Sequence, residues 1–265
     1  MKELEIVKTK KLIPPKNNEL LWRYFDLHKF LNLLNEKTIR FARMDEFEDP
    51  LEGIPLSALI TYEEKMNQNL IPKDTTLSQL ILDQSLFASL PILLQKKLNQ
   101  IHAIQLTTYV SCWFYEQRES MAMWNLYSDS NGVAIKLPYG KLISQLKETN
   151  FNHHNIGAFY SGRVDYQNFK TVSPYVANEK SKIPKVALRK DSSFSHEKEV
   201  RFVVRIYNDT QKIKSVTSGN LNLKDLDMKV VCHPRMNPWK KENIKSLLRK
   251  AGIENAFQES EIKLR

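Results

Sequence analysis

The stretch His196-Glu197-Lys198-Glu199-Val200-Arg201-Phe202-Val203-Val204 limits the possible folds more than any other part of the chain. Successive side chains on a strand point to opposite faces. A strand over Glu197–Tyr207 therefore turns Val200, Phe202 and Val204 toward a core, and Glu197, Glu199 and Arg201 the other way. Such a strand needs partners, and the β-branched and aromatic runs supply them: Leu21–Phe25, Ile39–Phe41, Thr108–Trp113, Val133–Leu137, Phe159–Tyr166 and Val230–Cys232, with Gly162 as the place for a bulge. Helical periodicity separates them. Asp26 caps a helix whose apolar face is Leu27, Phe30, Leu31 and Leu34, Ser120 caps one over Met121–Tyr127, and Tyr139–Leu146 and Val176–Arg189 read as two more. Asn237-Pro238-Trp239 opens a last helix that stops near Gly252. Between Ser57 and Gln105 the pattern is helical and peripheral, with candidates at Thr61–Asn69, Leu77–Phe87 and Ile92–Ile104. The expectation is an α+β fold: one domain over residues 1–265, a central mainly antiparallel sheet, flanking helices, and a helical insert near 57–105.

Composition narrows the class. With 265 residues, 42% hydrophobic and 26% charged, the chain can bury a full core and is not of the disordered type. No apolar run approaches the roughly 20 residues of a membrane span. The amino terminus, Met1-Lys2-Glu3-Leu4-Glu5, lacks the apolar region of a secretory signal. A cytoplasmic protein with no membrane partner is expected. Cys112 and Cys232 exclude a disulfide framework by count, and both read as buried thiols. His153 and His154 diverge, the other histidines stand alone, and no metal site is expected. There is no glycine-rich phosphate loop and no nucleophile elbow. The formal net charge of +10 favours an anionic partner, nucleic acid or a phosphate-bearing cofactor. Its densest patches are Lys8–Lys11 and the last helix, with Lys240, Lys241, Lys245, Arg249 and Lys250; neither interleaves aromatic with basic residues.

Four groups of residues can carry chemistry, and each has a plainer reading beside the functional one. Glu197 and Glu199 on one strand face with Arg201 can tune each other's charge, or can be ion pairs on the solvated face of an outer strand. Ser111-Cys112-Trp113, with Trp124 and Tyr127 three apart on a helix, can floor a pocket for a flat ring, or can be core packing. Pro50 keeps Asp49 out of the helical region, so Asp49-Pro50-Leu51-Glu52-Gly53 is a fixed loop. Its carboxylates can meet a ribose, a cation or a helix end, or can cap the loop. In Trp22-Arg23-Tyr24, Arg23 can clamp a phosphate, or can be a surface arginine.

Taken in order, the segments Trp22-Arg23-Tyr24, Phe47–Gly53, Ser111-Cys112-Trp113, Met123-Trp124-Asn125-Leu126-Tyr127, Gly132–Ile135 and Phe194–Arg201 resemble the bacterial family catalogued as domain of unknown function 2971, over essentially the whole chain. A looser resemblance bears on mechanism. Arg on a first strand, Ser on a middle strand and Glu-x-Glu on a late one is similar to the arginine-serine-glutamate class of ADP-ribosyltransferases. That resemblance implies an ADP-ribosyltransferase-like fold and NAD as substrate. Arg23 would then hold a phosphate or ribose of the dinucleotide, with Tyr24 beside it. Ser111 would support the pocket, Glu199 would accept the ribose 2′-hydroxyl, and Glu197 would position a nucleic-acid or protein acceptor. Two departures stand out: Ser111 is followed by Cys112-Trp113, not by the class's Thr-Ser, and Arg201 closely follows Glu199.

The leading expectation is an NAD-consuming, ADP-ribosyltransferase-like enzyme of the toxin or phage-defence kind. Glu199, Glu197 and Ser111 are its catalytic candidates, and Arg23, Tyr24, Trp113, Trp124, Tyr127 and Arg201 its cofactor-binding ones. The alternatives are a non-catalytic nucleotide- or nucleic-acid-binding module, and a nuclease holding a divalent cation on Asp49, Glu52 and Glu199.

Overall fold

A computed structural model describes residues 13–49, 51–54, 68–69, 75, 77–153, 155–169, 186–207 and 213–264. Strands are β1 (Leu20–Phe25), β2 (Arg40–Arg43), β3 (Thr108–Tyr115), β4 (Val133–Pro138), β5 (Ile156–Arg163), β6 (Asp165–Gln167), β7 (Arg189–Asp191), β8 (Glu199–Ile206), β9 (Ser215–Thr217), β10 (Lys229–Cys232) and β11 (Phe257–Gln258). Helices are α1 (Leu27–Glu36), α2 (Leu77–Leu82), α3 (Gln84–Ser89), α4 (Ile92–Leu106), α5 (Met121–Tyr127), α6 (Tyr139–Glu148) and α7 (Pro238–Lys250). The helices start where the caps point. The Asp26 carboxylate accepts from the Lys29 N–H at 2.8 Å, and the Ser120 hydroxyl from the Met123 N–H.

The main sheet runs β11-β10-β4-β1-β3-β2-β9, with β8 on β3 and β5 on β8. Its pairings are antiparallel except for β10 with β11, so the α+β, mainly antiparallel expectation holds. Strand β3 meets β8 along Thr108–Phe114. On its opposite edge it meets β2 only at Tyr109 and Val110, and β1 only at Phe114 and Tyr115. Among the described residues, the pairing therefore leaves a gap, or slot, between β1 and β2 at Ser111–Trp113, where the Ser111 and Trp113 side chains are buried.

The two faces of the sheet differ in chemistry. One carries the main core, with Leu21, Phe25, Tyr109, Trp113, Ile135, Val200, Phe202 and Val204 packed under α1, α6 and α7. The other carries two apolar clusters. Trp22, Tyr24, Phe114, Met123, Trp124, Ala134 and Val231 form one, and Met44, Val110, Tyr160, Ala187, Leu188 and Val203 the other. Charged residues of β8 lie between them. Helices α2 and α4 share a further cluster with residues from other segments: Ile54, Leu80, Leu90, Leu94, Leu98, Ile101 and Phe169.

Several local expectations need correction. Strand β8 starts at Glu199; Glu197 ends a 3-10 turn, Ser192–Glu197, and Lys198 after it adopts a left-handed conformation. Seven residues, 192–198, lie between Asp191 and the strand and must be turned through, and the Asp191 cap on the Ser193 N–H starts that turn. The register irregularity of β5 falls between Ile156 and Ala158, at Gly157, while Gly162 pairs regularly with Arg201. Arg189 begins β7 and is not helical. The helix candidates over 61–67 and 176–185, like Lys8–Lys11, Pro50 and His154, lie outside the described residues. Cys232 is buried as expected, but Cys112 keeps partial exposure. Among the described residues no helix is long and apolar enough to cross a membrane.

Candidate functional site

Arg201 is the centre of the sheet's charged face. It is fully buried, and its neighbours across β3 and β5 are Cys112 and Gly162, small residues that leave room for a guanidinium. All five of its N–H donors are used. Nε donates to Glu199 Oε2 at 2.7 Å and Nη1 to Glu52 Oε1 at 2.6 Å and the Ala187 carbonyl at 3.0 Å. Nη2 donates to Glu52 Oε2 at 3.0 Å and Glu199 Oε1 at 3.2 Å. Arg201 thus ties the loop Asp49–Gly53 and the segment entering β7 to strand β8. The loop reaches it because Asp49 Oδ1 accepts from the Leu51 N–H at 2.9 Å and Gly53 turns with φ +75°.

Lys190 joins from β7. Its Nζ lies 2.6 Å from Glu197 Oε2 and 3.2 Å from Glu199 Oε1, above the Phe194 ring. The half-exposed Tyr127 of α5 donates its hydroxyl to Glu197 Oε1 at 3.0 Å. Three carboxyls thus face two cations. Buried charges must balance, and a proton on Glu197 brings the cluster to neutrality. Burial raises Glu52, against the pull of Arg201, so Glu197 and Glu52 are the two acids above their ordinary value. Burial and the hydrogen bond to Glu199 push Glu197 above the usual carboxylate range. Burial would raise Glu199 as well, but the Arg201 charge and the hydrogen bond from Glu197 outweigh it and hold Glu199 well below that range. The pair splits into one acid and one permanent anion. Burial and the Glu199 charge push the neighbouring Cys112 thiol far up, so it is no nucleophile at neutral pH.

The structure brings Glu197, Glu199, Tyr127 and Arg201 together but parts them from the other candidates. Ser111 and Trp113 register with Phe202 and Val200, so both belong to the core face. Trp113 packs edge-on against Phe202. Trp124 covers the opposite face, fully buried, with its indole N–H on Glu119 Oε2 at 3.0 Å. The two indoles therefore do not wall one hollow. Tyr24 is buried beside Trp124, and its hydroxyl accepts from the Ser120 N–H at 2.8 Å. The acidic face is neither outer nor solvated, because β8 lies between β3 and β5. The sequence could not place Lys190, which reaches the cluster only through the β6–β7 pair and a turn of irregular length. Glu52 was visible only as a loop acid. The site proposed for a divalent cation between Glu52 and Glu199 is filled by the Arg201 guanidinium. Among the described residues no group of three His, Cys, Asp or Glu is arranged to hold a metal.

Arg23 stands at the slot. Its Nη1 donates to Ser111 Oγ at 2.8 Å, and its guanidinium lies 5.4 Å from the Phe25 ring centroid and 5.5 Å from that of Trp113. Burial lowers it to about 10, so it stays cationic at neutral pH, and Arg40 adds like charge. It remains partly exposed, and no ion pair to it occurs among the described residues. Ser111 and Cys112 are consecutive, so the Arg23 centre and the Arg201 centre touch the same stretch of β3 from its two faces.

Neither a curated protein nor a solved structure matches the chain. Residues 123–202 match the family described as protein of unknown function, DUF2971. That span takes in Met123–Tyr127, Gly132–Ile135 and Phe194–Arg201, and so the Tyr127–Glu197–Glu199–Arg201 constellation, while Arg23, Glu52 and Ser111 lie outside it.

Proposed function

We propose that the protein binds a nucleotide of the NAD class at the slot between β1 and β2, with Arg23 as the anchor for its phosphate. One observation carries this: Arg23 is a desolvated, partly exposed guanidinium with a serine and two aromatic rings around it and, among the described residues, no carboxylate to neutralise it. A cation so placed gains most from an anion that arrives with its own charge, and a phosphate accepts the guanidinium fork bidentately. Trp113 and Phe25 exclude water around that contact and strengthen it. Isothermal titration calorimetry with NAD, ADP-ribose and AMP tests the reading. Arg23→Gln should weaken binding about 10–100-fold, the equivalent of about 1.5–3 kcal/mol for a charge-assisted contact. Equal affinity in the variant, or no heat with any of the three, rejects it.

A second reading, ADP-ribosyl transfer or NAD hydrolysis, is favoured by the split Glu197/Glu199 pair. Loss of nicotinamide passes through an oxocarbenium-like state, which a fixed anion such as Glu199 stabilises while Glu197 holds or moves a proton. The seat of Arg23 and Ser111 on the other sheet face weighs against it. Nicotinamide release measured by chromatography decides. Glu197→Gln should reduce it at least 100-fold with NAD affinity unchanged; no release from the unaltered protein leaves only the binding function.

A further inference from the structure

Helix α7 presents a surface that neither centre uses. Over Pro238–Lys250 it has five basic residues, Lys240, Lys241, Lys245, Arg249 and Lys250, against one acid, Glu242, a charge of +4 in thirteen residues. Its buried residues are Ile244 and Leu248, which face the main core. Trp239 is turned outward in the first turn, 62% exposed, a state that costs a large apolar ring its burial. Lys240 Nζ lies 5.5 Å from the indole centroid and bonds to Asn131 Oδ1, which fixes the start of α7 against the turn after α5. Lys241 pairs with Glu259 and Lys245 with Glu242, whereas Arg249 and Lys250 are exposed at the far end and Arg235 just before the helix. The sequence shows basic residues without interleaved aromatics; in three dimensions an exposed indole stands at the head of the basic helix. Trp239 and Lys250 are eleven residues apart, about 16 Å along a helix, a span of several nucleotides.

We propose that this face of α7 binds single-stranded nucleic acid, with Trp239 stacking on a base and Arg235, Arg249 and Lys250 contacting phosphates. An exposed indole beside cations suits unpaired bases, whose ring faces are free, and a duplex hides those faces. Charge complementarity and the stacking platform together favour this partner over an acidic protein, because a single strand repeats a flat base and a negative charge at every nucleotide.

Fluorescence anisotropy of the full chain with a labelled 20-nucleotide oligouridine tests the proposal. Binding should weaken about 20–50-fold between 50 and 200 mM salt, as expected for three or four phosphate contacts on a single strand. Trp239→Ala should weaken it about tenfold or more, and Arg249→Glu with Lys250→Glu should also flatten the salt dependence. Arg23→Gln should leave it unchanged, which separates this surface from the nucleotide slot. No binding at 50 mM salt, a Trp239→Ala effect within twofold, or competition by polyglutamate or a duplex as effective as by unlabelled oligouridine overturns it.

Discussion

Arg201 shows how much one residue can organise. A guanidinium with all five donors used and no exposure contributes little net stability over an apolar replacement of the whole cluster, because desolvation offsets the Coulomb gain. Removing it alone is different. Arg201→Met strands Glu52 as a buried carboxylate without its cation and leaves Glu199 with Lys190 alone, and urea unfolding should register a loss of about 3–5 kcal/mol. The acid pair also sets a pH dependence. Glu199 sits below its ordinary value, so its share of the stability is present above that value and is lost as pH falls below about 4.5. Glu197 sits above it, so its bound proton favours the folded state at low pH and that share is lost as pH rises through the raised value. In Glu199→Gln the acid-side loss should shrink, and stability curves taken from pH 6 to pH 3 would show a flatter slope than the unaltered protein. An unchanged slope would mean that Glu199 is not held ionised. The charges of these residues were legible in the sequence, but their pairing was not, because Glu52 and Arg201 lie 149 positions apart.

At the scale of elements, the 3-10 turn before β8 decides what Glu197 does. Alternation alone puts Glu197 on the same strand face as Glu199; the turn instead lifts it to Lys190 and Tyr127. Lys198 bears the cost, with φ 39° in the left-handed region that disfavours a side chain. Its exposed ion pair with Glu116 is worth little. Lys198→Gly should therefore be neutral to stabilising, by about 0.5–1 kcal/mol, and thermal denaturation with CD detection would check it. A clear drop in Tm would show that the turn draws more on the lysine than on its backbone. Caps and periodicity made α1, α5 and α7 readable, since Asp26, Ser120 and Pro238 act locally. The shift of the β5 irregularity to Gly157 was not readable, because either glycine satisfies the local rule and only the pairing with β8 chooses.

For the whole molecule, the cluster around α2 and α4 and the sheet's main core are separate apolar interiors. Leu98, fully buried in α4, belongs to the former. Leu98→Ala should cost about 2–5 kcal/mol where it is felt. Hydrogen exchange followed by mass spectrometry should show faster exchange over α2–α4 with the protection of β3 and β8 retained. Equal loosening of both would mean that the two interiors unfold as one cooperative unit.

The sequence by itself determined the strands β1–β4, β8 and β10, the helices α1 and α4–α7, and which face of β8 is apolar. Those properties depend on side chains two to four residues apart, and the pattern carries them. Tertiary structure alone decided which charges meet, that Trp113 and Trp124 cover opposite faces, and that Arg23 meets no carboxylate among the described residues. These outcomes depend on strand order and on the lengths of turns, through contacts between residues a hundred or more positions apart. No local preference encodes such contacts; the burial of one sheet between two apolar layers brings them about.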